Sequence, residues 1–276
     1  VAAVKQTSNT GSCGPIGFGI SSARLFAFFS STGVGDTFAG RIIGSSPNTP
    51  LSWQSSWLTS AGQSSGVIGF EGGWGSSFSD GSTRLALSNQ ATSFTVVDTQ
   101  PLESFHSDGA GDWVVWAGRD SSSQLSVLRG YNSSSSARTL YTAPDNNTVV
   151  LGTTLTDQKF VWMNAHGPAA LQGQYTSVDA MWAPIPSTPD GQVIAQTPRA
   201  IPMTTGLSAV HAGGDFAVTS GCQSVGGQPC TRTLIVVQLS TGNIWYIKNR
   251  PSRGFNYVLA VNPDEIIVAE YRSEER

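Results

Sequence analysis

The sequence predicts an all-β protein with the architecture of a β-propeller, and three observations support this prediction. Charged residues make up only 12% of the 276 residues, Gly is abundant at 31 residues, and apolar residues fall in short runs. This composition is typical of many strands joined by turns. A motif consisting of a turn and then a short apolar run recurs along the chain, and no amphipathic run long enough for a helical repeat is visible.

The repeat is clearest in the segment GDWVVWAG, which begins at Gly111. Similar segments begin at five other positions: Ser22, Ser65, Asp157, Gly214 and Asp264. The successive starts are separated by 43, 46, 46, 57 and 50 residues. A period of this size with several strands in each unit is the signature of propeller blades, which are four-stranded antiparallel sheets packed face to face. We therefore expect six blades in a single domain that spans residues 1–276.

The third unit shows how the sequence builds a blade. Residues 102–106 are predicted as the innermost strand, residues 107–111 as a turn, and residues 113–117 as the second strand. The nearly continuous apolar character of the second strand predicts burial on both faces between neighbouring blades. Residues 125–131 and 138–142 alternate more strongly, as expected of less buried outer strands.

Three other units are interpreted in the same way. In the second unit a strand over residues 67–70 is followed by a Gly-rich loop, and in the fifth a strand over residues 207–211 is followed by an Ala-Gly-Gly turn. In the fourth unit, residues 183–202 carry five prolines. Prolines suit loops and edge strands, so a central strand is excluded there.

The sixth unit contains two predicted strands, residues 256–261 and 266–271, before the sequence ends. An open ring would expose strand edges, so we expect residues 2–6, within an N-terminal segment of residues 1–10, to return and complete the last blade. One further strand lacks a source. Either the last blade is short, or the chain is a fragment, or another chain completes the blade.

Turns such as SDGAGDWVVWAG and TPDGQVI resemble the repeats of TolB-like and WD40-like β-propellers. The resemblance covers most of the chain, and it implies the fold. It carries over no catalytic residues, because propellers host unrelated functions.

Charge and motif content exclude several classes of partner. The net charge of -3 and the lack of a basic cluster argue against nucleic acid as a partner. No apolar run is long enough to span a membrane. No P-loop, dinucleotide glycine motif, Gly-x-Ser-x-Gly elbow, or zinc or calcium spacing is present, so we expect no cofactor and no metal.

Several features favour a secreted or cell-surface protein. Cys222 and Cys230 bracket a short polar loop and are predicted to form a disulfide, although two free thiols in a reducing compartment are the alternative. Cys13 is then left over. Two glycosylation sequons, at Asn132 and Asn146, fall in predicted turns, and a chain that begins with Val suggests a processed N-terminus.

In a propeller, the loops that follow the second strands share one face with the loops that lead into the first strands. Side chains suited to stacking and to directional hydrogen bonds lie in these loops and are predicted to bind a ligand. They are Glu71, Trp74, Arg119, Asp120, Asn164, His166, Tyr271 and Arg272. The alternative is that they are ordinary solvated loop residues and that Trp113, Trp116 and Trp162 form core between blades. His106 and His211 occupy equivalent strand-to-turn junctions, which predicts a structural role.

Three functions are compatible with this pattern. The first is a secreted binding module whose ligand is a glycan or a protein at the loop face. The second is a polysaccharide-cleaving enzyme, a glycoside hydrolase or lyase, which would use residues such as Glu71, Asp120, His166 or Arg119. The third is a structural subunit of an extracellular assembly. Binding ranks first because no acid or base lies in a recognisable catalytic motif.

Overall fold

The computed structural model describes residues 14–21, 24–31, 35–42, 68–70, 73–77, 82–86, 95–99, 102–201, 210–223, 231–248, 256–261 and 263–270. Within these residues the secondary structure is antiparallel β-sheet, with one 3-10 turn at Ala170–Gln172. No helix in the described part of the chain is long and apolar enough to cross a bilayer.

The strands form six sheets, numbered here in chain order. Sheet 1 contains β1 (Gly14–Ser21), β2 (Arg24–Ser31) and β3 (Gly35–Ile42). Sheet 2 contains β4 (Ile68–Phe70), β5 (Gly73–Ser77), β6 (Thr83–Ala86) and β7 (Thr95–Asp98). Sheet 3 contains β8 (Leu102–Ala110), β9 (Trp113–Arg119), β10 (Ser126–Asn132) and β11 (Arg138–Thr142). Sheet 4 contains β12 (Thr148–Leu155), β13 (Lys159–His166), β14 (Ser177–Pro184) and β15 (Arg199–Ile201). Sheet 5 contains β16 (His211–Gly213), β17 (Phe216–Gln223), β18 (Thr231–Gln238) and β19 (Ile244–Lys248), and sheet 6 contains β20 (Asn256–Val261) and β21 (Ile266–Glu270).

Each sheet is an up-and-down meander in which every strand pairs with its neighbour in sequence. Contacts between sheets join the first strands in chain order, so that β1 adjoins β4, β4 adjoins β8, β8 adjoins β12, β12 adjoins β16 and β16 adjoins β20. The first strands are therefore innermost, and the sheets stack face to face as propeller blades do. The predicted all-β class with four-stranded antiparallel sheets is confirmed.

The apolar core lies between sheets. On β9, Trp113 and Val115 face sheet 4 while Val114 and Trp116 face sheet 2, and all four are buried. Trp113 packs edge-to-face on Phe160 of sheet 4, with ring centroids 5.1 Å apart. Burying a large apolar side chain contributes about 1.5–3 kcal/mol, so these positions stabilise the stacking of the sheets. The placement of Trp113, Trp116 and Trp162 in the core, with exposed fractions of 5%, 0% and 0%, confirms the structural interpretation of these tryptophans.

The turn predicted at residues 107–111 is wrong. Strand β8 continues to Ala110 through a register shift between Leu102 and Ser107, and the turn is confined to Gly111 and Asp112. Gly111 has φ +54°, a conformation that favours glycine. Pairing with β9 recruits the polar residues Ser107 and Asp108 into the strand, which propensity alone does not predict.

The two histidines predicted at strand-to-turn junctions are placed differently. His106 lies within β8, and His211 is the first residue of β16 rather than the last residue of a strand. Both residues therefore belong to the innermost strands.

The second sheet also differs from the prediction. Gly73–Ser77, expected as a Gly-rich loop, forms strand β5 and pairs with both β4 and β6. The repeat segment that begins at Ser65 therefore leads into a first strand, β4, whereas the segments beginning at Gly111, Asp157 and Gly214 lead into second strands. Glycine and serine have low strand propensity, and ladder hydrogen bonds on both sides override it.

The Pro-rich stretch of sheet 4 behaves as predicted. Pro184 ends β14, the chain then runs without regular structure from residue 185 to residue 198, and only the short outer strand β15 follows. Residues 2–6, predicted to close the last blade, lie outside the described residues.

Candidate functional site

The meander topology sorts the connections onto two faces. We call the upper face the one formed by the connections from second to third strands and from fourth strands to the next first strand, which includes residues 120–125, 143–147 and 167–176. The lower face is formed by the remaining connections, which include residues 111–112, 133–137, 156–158 and 185–198. The predicted ligand face is the upper one.

A polar cluster lies on the upper face where sheets 3 and 4 meet. Phe160, Trp162, Asn164 and His166 alternate along β13 and face sheet 3, so the buried apolar interface becomes polar towards the upper end. His166 Nε2 lies 2.9 Å from Asp179 Oδ2 on β14, and because it faces a carboxylate this nitrogen carries a ring proton. On the other side of the ring, His166 Nδ1 lies 3.1 Å from Thr148 Oγ1.

Asn164 joins this cluster to sheet 3. Its Nδ2 donates to Tyr141 Oη at 2.8 Å, and the Tyr141 ring lies 5.0 Å from the Trp162 ring between centroids. Asn164 is 3% exposed, and its Oδ1 is buried without a partner among the described residues. An unpaired buried acceptor costs about 1–3 kcal/mol unless a donor is supplied. Burial raises the pKa of Tyr141, and the nearby carboxylates Asp179 and Asp145 raise it further.

Arg119 ends strand β9, and Asp120 begins the neighbouring upper-face loop. Asp120 Oδ1 accepts hydrogen bonds from the amides and hydroxyls of Ser122 and Ser123, at 2.6–3.1 Å. These hydrogen bonds, with that of the Ser122 hydroxyl foremost, hold the pKa of Asp120 well below its usual range. Arg119 Nη1 donates to the Gln124 carbonyl oxygen at 3.1 Å. Both side chains therefore stabilise the loop itself.

The structure brings together some of the predicted residues and not others. Asn164 and His166, predicted in a loop, lie on strand β13 in one cluster, whereas Arg119 is the last residue of β9 and Asp120 lies in the adjacent loop. Trp74 is on strand β5 rather than in a loop after a second strand. Cys222 lies on β17. The remaining predicted positions lie outside the described residues: Glu71, Tyr271, Arg272 and Cys230. The disulfide therefore stays a prediction.

Sequence reasoning missed three members of the cluster, namely Tyr141, Thr148 and Asp179. Asp179 had a usable signal, because it is a lone charge within the largely apolar strand SVDAMWAP. Tyr141 and Thr148 had none, since their proximity to His166 depends on how sheet 3 packs against sheet 4. In the described part of the chain, no three His, Cys, Asp or Glu side chains are grouped closely enough to hold a metal ion.

Comparison with known proteins gives no match to any family model and no match among curated proteins. Solved structures are similar in fold. The N-terminal domain of Nup159 superposes with a TM-score of 0.52 at 11% identity, covering 92% of this chain and 70% of that domain. Human WBSCR16 gives a TM-score of 0.51 at 12% identity, over 92% of this chain and 71% of that one.

A third similar structure belongs to the complex of S. cerevisiae Dbp5 bound to Nup159, Gle1, IP6 and ADP. Its TM-score is 0.51 at 11% identity, over 94% of this chain and 75% of that chain. At such low identities the likeness concerns fold alone. The stacked meander sheets and these structural neighbours together show that the chain has a β-propeller-like fold.

Proposed function

We propose that this protein is an interaction module that binds a protein ligand through the upper face between sheets 3 and 4. The observation that carries the proposal is the polar cluster of Tyr141, Asn164, His166 and Asp179, whose hydrogen-bonded side chains His166 and Asp179 reach solvent on the upper face.

The cluster is exposed to solvent and is carried by rigid strands, and both properties suit a binding site. The side chains of His166 and Asp179 keep 28% and 23% of their surface exposed, so both reach solvent. They project from two central strands, β13 and β14, which pair over their full length, and rigid strands position a site better than loops do. Tyr141 adds an amphipathic side chain of the kind enriched at protein interfaces.

The fold is compatible with this role. Among the similar structures, the S. cerevisiae complex places Dbp5 together with Nup159 and Gle1, so a related architecture occurs in a protein assembly. Propellers host many functions, so the fold only permits the proposal, and the cluster is what favours it.

Selection from a displayed peptide library tests the proposal. The wild-type protein should enrich peptides that bind at least tenfold more weakly to Tyr141→Phe, which removes the hydroxyl, and to Asp179→Asn, which removes the charge facing His166. Asp190→Asn is the matched control, because Asp190 is exposed on the lower face. Selection without enrichment, or peptides that bind all variants equally, would contradict the proposal.

We also propose that the protein is secreted or at the cell surface, with Cys222 and Cys230 joined by a disulfide. The support is compositional: few charged residues, many glycines, and a polar loop between the two cysteines. The masses of an alkylated peptide spanning residues 220–232, taken before and after reduction, test the disulfide.

We propose further that the six sheets close into a ring, with residues 2–6 completing sheet 6. Sheet 6 has two strands among the described residues, whereas sheets 2 to 5 have four. The third and fourth strands of sheet 5 cover the apolar face of sheet 4, so sheet 6 needs equivalent strands to cover the same region of sheet 5.

A further inference from the structure

A cleft of about 380 Å³ opens on the lower face between sheets 3 and 4. This volume lies within the range of small-molecule sites. One wall carries Asp112, Trp113 and Asn132 of sheet 3, and the opposite wall carries Asp157 of sheet 4 with Pro186 and Pro189 of the Pro-rich segment. The cleft is on the face opposite to the polar cluster.

The cleft exists because sheet 4 departs from the repeat at this point. In sheet 5, the Ser240 hydroxyl donates a hydrogen bond to the turn residue Asp215. In sheet 3, the Ser133 hydroxyl donates to Oδ1 of the turn residue Asp112 at 3.3 Å. Asp157 occupies the corresponding turn of sheet 4, and although Ser187 of the facing Pro-rich segment also lines the cleft, no serine of the described residues hydrogen-bonds to Asp157. Asp157 is exposed and has no hydrogen-bond or ionic partner within the described residues.

Asn132 supplies the donor of the site. It is 5% exposed and its Oδ1 accepts the Ser134 backbone N–H at 2.9 Å, which leaves the Nδ2 hydrogens without a partner among the described residues. Because most of the side chain is buried and its Oδ1 is held by Ser134, the amide is fixed in position, and its N–H groups remain open at the wall of the cleft to donate to an acceptor. Asn132 therefore points to a ligand that brings acceptor atoms into the cleft.

The combination of groups limits the chemistry of the ligand. The carboxylates of Asp112 and Asp157 accept hydrogen bonds and repel an anion, so a phosphate or a carboxylate is disfavoured. An ammonium group would satisfy the carboxylates but has no acceptor for Asn132. Hydroxyl groups both donate and accept, and the apolar walls formed by Pro186 and Pro189 can contact the C–H faces of a sugar ring.

We infer that the lower-face cleft binds a neutral saccharide, with Asp112 and Asp157 accepting from its hydroxyls, Asn132 donating to a hydroxyl oxygen, and the proline walls packing on its ring. This site is separate from the protein-binding face proposed above and does not depend on it. It assigns the glycan to the lower face rather than to the loops in which the sequence placed it.

The test uses the full chain with an array of neutral oligosaccharides, followed by calorimetric titration of the best-bound one. Asp157→Ala removes an acceptor from an exposed turn, so this variant should keep its fold. Asn132→Asp removes the N–H donors and keeps the acceptor for Ser134. Each variant is expected to bind at least tenfold more weakly, the loss typical of one directional hydrogen bond to a ligand.

Asp190→Ala is the matched control, because Asp190 is an exposed aspartate of the same Pro-rich segment that does not line the cleft. It should bind as the wild type does. The inference is overturned if no neutral saccharide binds, if Asp157→Ala and the control bind equally well, or if a lysine-rich peptide binds and is lost in Asp157→Ala. The inference is also overturned if Tyr141→Phe loses saccharide binding while Asp157→Ala and Asn132→Asp keep it, because the saccharide would then bind on the upper face. The peptide selection is read separately, so either proposal can fail alone.

Discussion

Single polar side chains fasten neighbouring sheets at points where apolar packing ends. Asp98, the last residue of β7, accepts from Trp116 Nε1 at 3.1 Å and from Arg129 Nε and Nη2 at 2.9 and 3.0 Å. Trp116 and Arg129 belong to sheet 3, so one carboxylate in sheet 2 accepts from three N–H groups on two side chains of the next sheet. The bidentate geometry makes this ion pair specific as well as strong.

Replacing the buried Asp98 with Ala should be among the most destabilising single substitutions in sheets 2 and 3. It leaves the Arg129 guanidinium and the Trp116 indole N–H without their buried acceptor, and removal of one partner of a buried pair costs about 3–5 kcal/mol. Urea unfolding gives the free energy. Asp190→Ala, as a surface control, should stay within about 0.5 kcal/mol of wild type.

The double variant Asp98→Ala/Arg129→Met sharpens this prediction. If the pair is the cause, the double variant loses less free energy of unfolding than the two single variants combined. Additive losses would show that Asp98 and Arg129 act independently.

Two titratable side chains on the innermost strands, Asp108 and His211, make the stability of the protein depend on pH. Asp108 Oδ2 on β8 accepts from Thr154 Oγ1 on β12 at 2.6 Å, and His211 on β16 lies close enough to interact electrostatically. Burial raises the pKa of Asp108 above its usual 3.8, although hydrogen bonds from Thr154 and Gly109 oppose the change. Burial also lowers the pKa of His211, although the Asp108 charge opposes that change.

The raised pKa of Asp108 predicts a pH-dependent gain in stability for Asp108→Asn. Between the unfolded and folded pKa values of Asp108, the folded protein holds a proton that the unfolded chain has released. The stability that this proton contributes is complete below pH 3.8 and is lost as the pH rises through the higher pKa of the folded state. The Tm difference between variant and wild type should therefore increase from about pH 4 to about pH 8, with the variant more stable at the upper end. A difference that is constant with pH would refute the assignment.

At the level of single strands, Gly152 allows a bulge in β12, the innermost strand of sheet 4. Strand β12 shifts register between Leu151 and Thr153, where Gly152 adopts φ +53°. A Cβ at Gly152 would lie 2.6 Å from Val210 Cγ2, so the bulge also permits the close approach of the chain that leads into sheet 5. Gly111 has a similar φ of +54° and no atom within 4 Å of the same position.

These two glycines form a matched pair for substitution. Gly111→Ala carries only the backbone cost of the left-handed conformation, about 1–2 kcal/mol. Gly152→Ala carries that cost and an overpacking cost of about 1–3 kcal/mol against Val210. Urea midpoints should therefore fall more for Gly152→Ala. Equal losses would mean that Val210 moves aside freely.

At the scale of the whole molecule, sheet 6 leaves apolar surface uncovered. A groove between sheets 5 and 6 is lined by Phe216, Val236, Trp245, Ile247 and Ile266, and Trp245 and Ile247 are 46% and 45% exposed. Asp264 and Glu265 lie on the rim of the groove. Lys5 is the cation of the segment proposed to close the ring, so the charges of the two surfaces are complementary.

Deletion of residues 1–6 tests the proposed closure. The truncated protein should bind more of a dye that reports exposed apolar surface and should melt at a lower temperature, because the groove at Trp245 would lack its cover. Adding a synthetic peptide VAAVKQTS should reverse both changes. The closure is contradicted if truncation alters neither dye binding nor Tm.

Much of the fold follows from sequence pattern. The apolar run over residues 113–117 was recognisable as a doubly buried strand, although β9 continues to Arg119, and β20 begins and ends where predicted. The Gly-rich strand β5 and the polar end of β8 were not recognisable, because their own propensities oppose the strand and pairing partners supply the compensating hydrogen bonds. For the candidate site, Asn164 and His166 could be named from position, and Asp179 left a signal as a lone charge in an apolar strand, whereas Tyr141 and Thr148 left none.

The all-β class, the repeated sheets and the buried tryptophans follow from local signals, because each unit repeats the same alternation and turn residues. Which polar groups meet depends on how the sheets pack. Asn164 reaches Tyr141 across the interface between sheets 4 and 3, and Asp157 has no hydrogen-bond partner among the described residues where Asp112 and Asp215 accept from serine hydroxyls. Both features depend on the packing of one sheet against the next, which is set by distant residues and leaves no trace in the spacing of either motif.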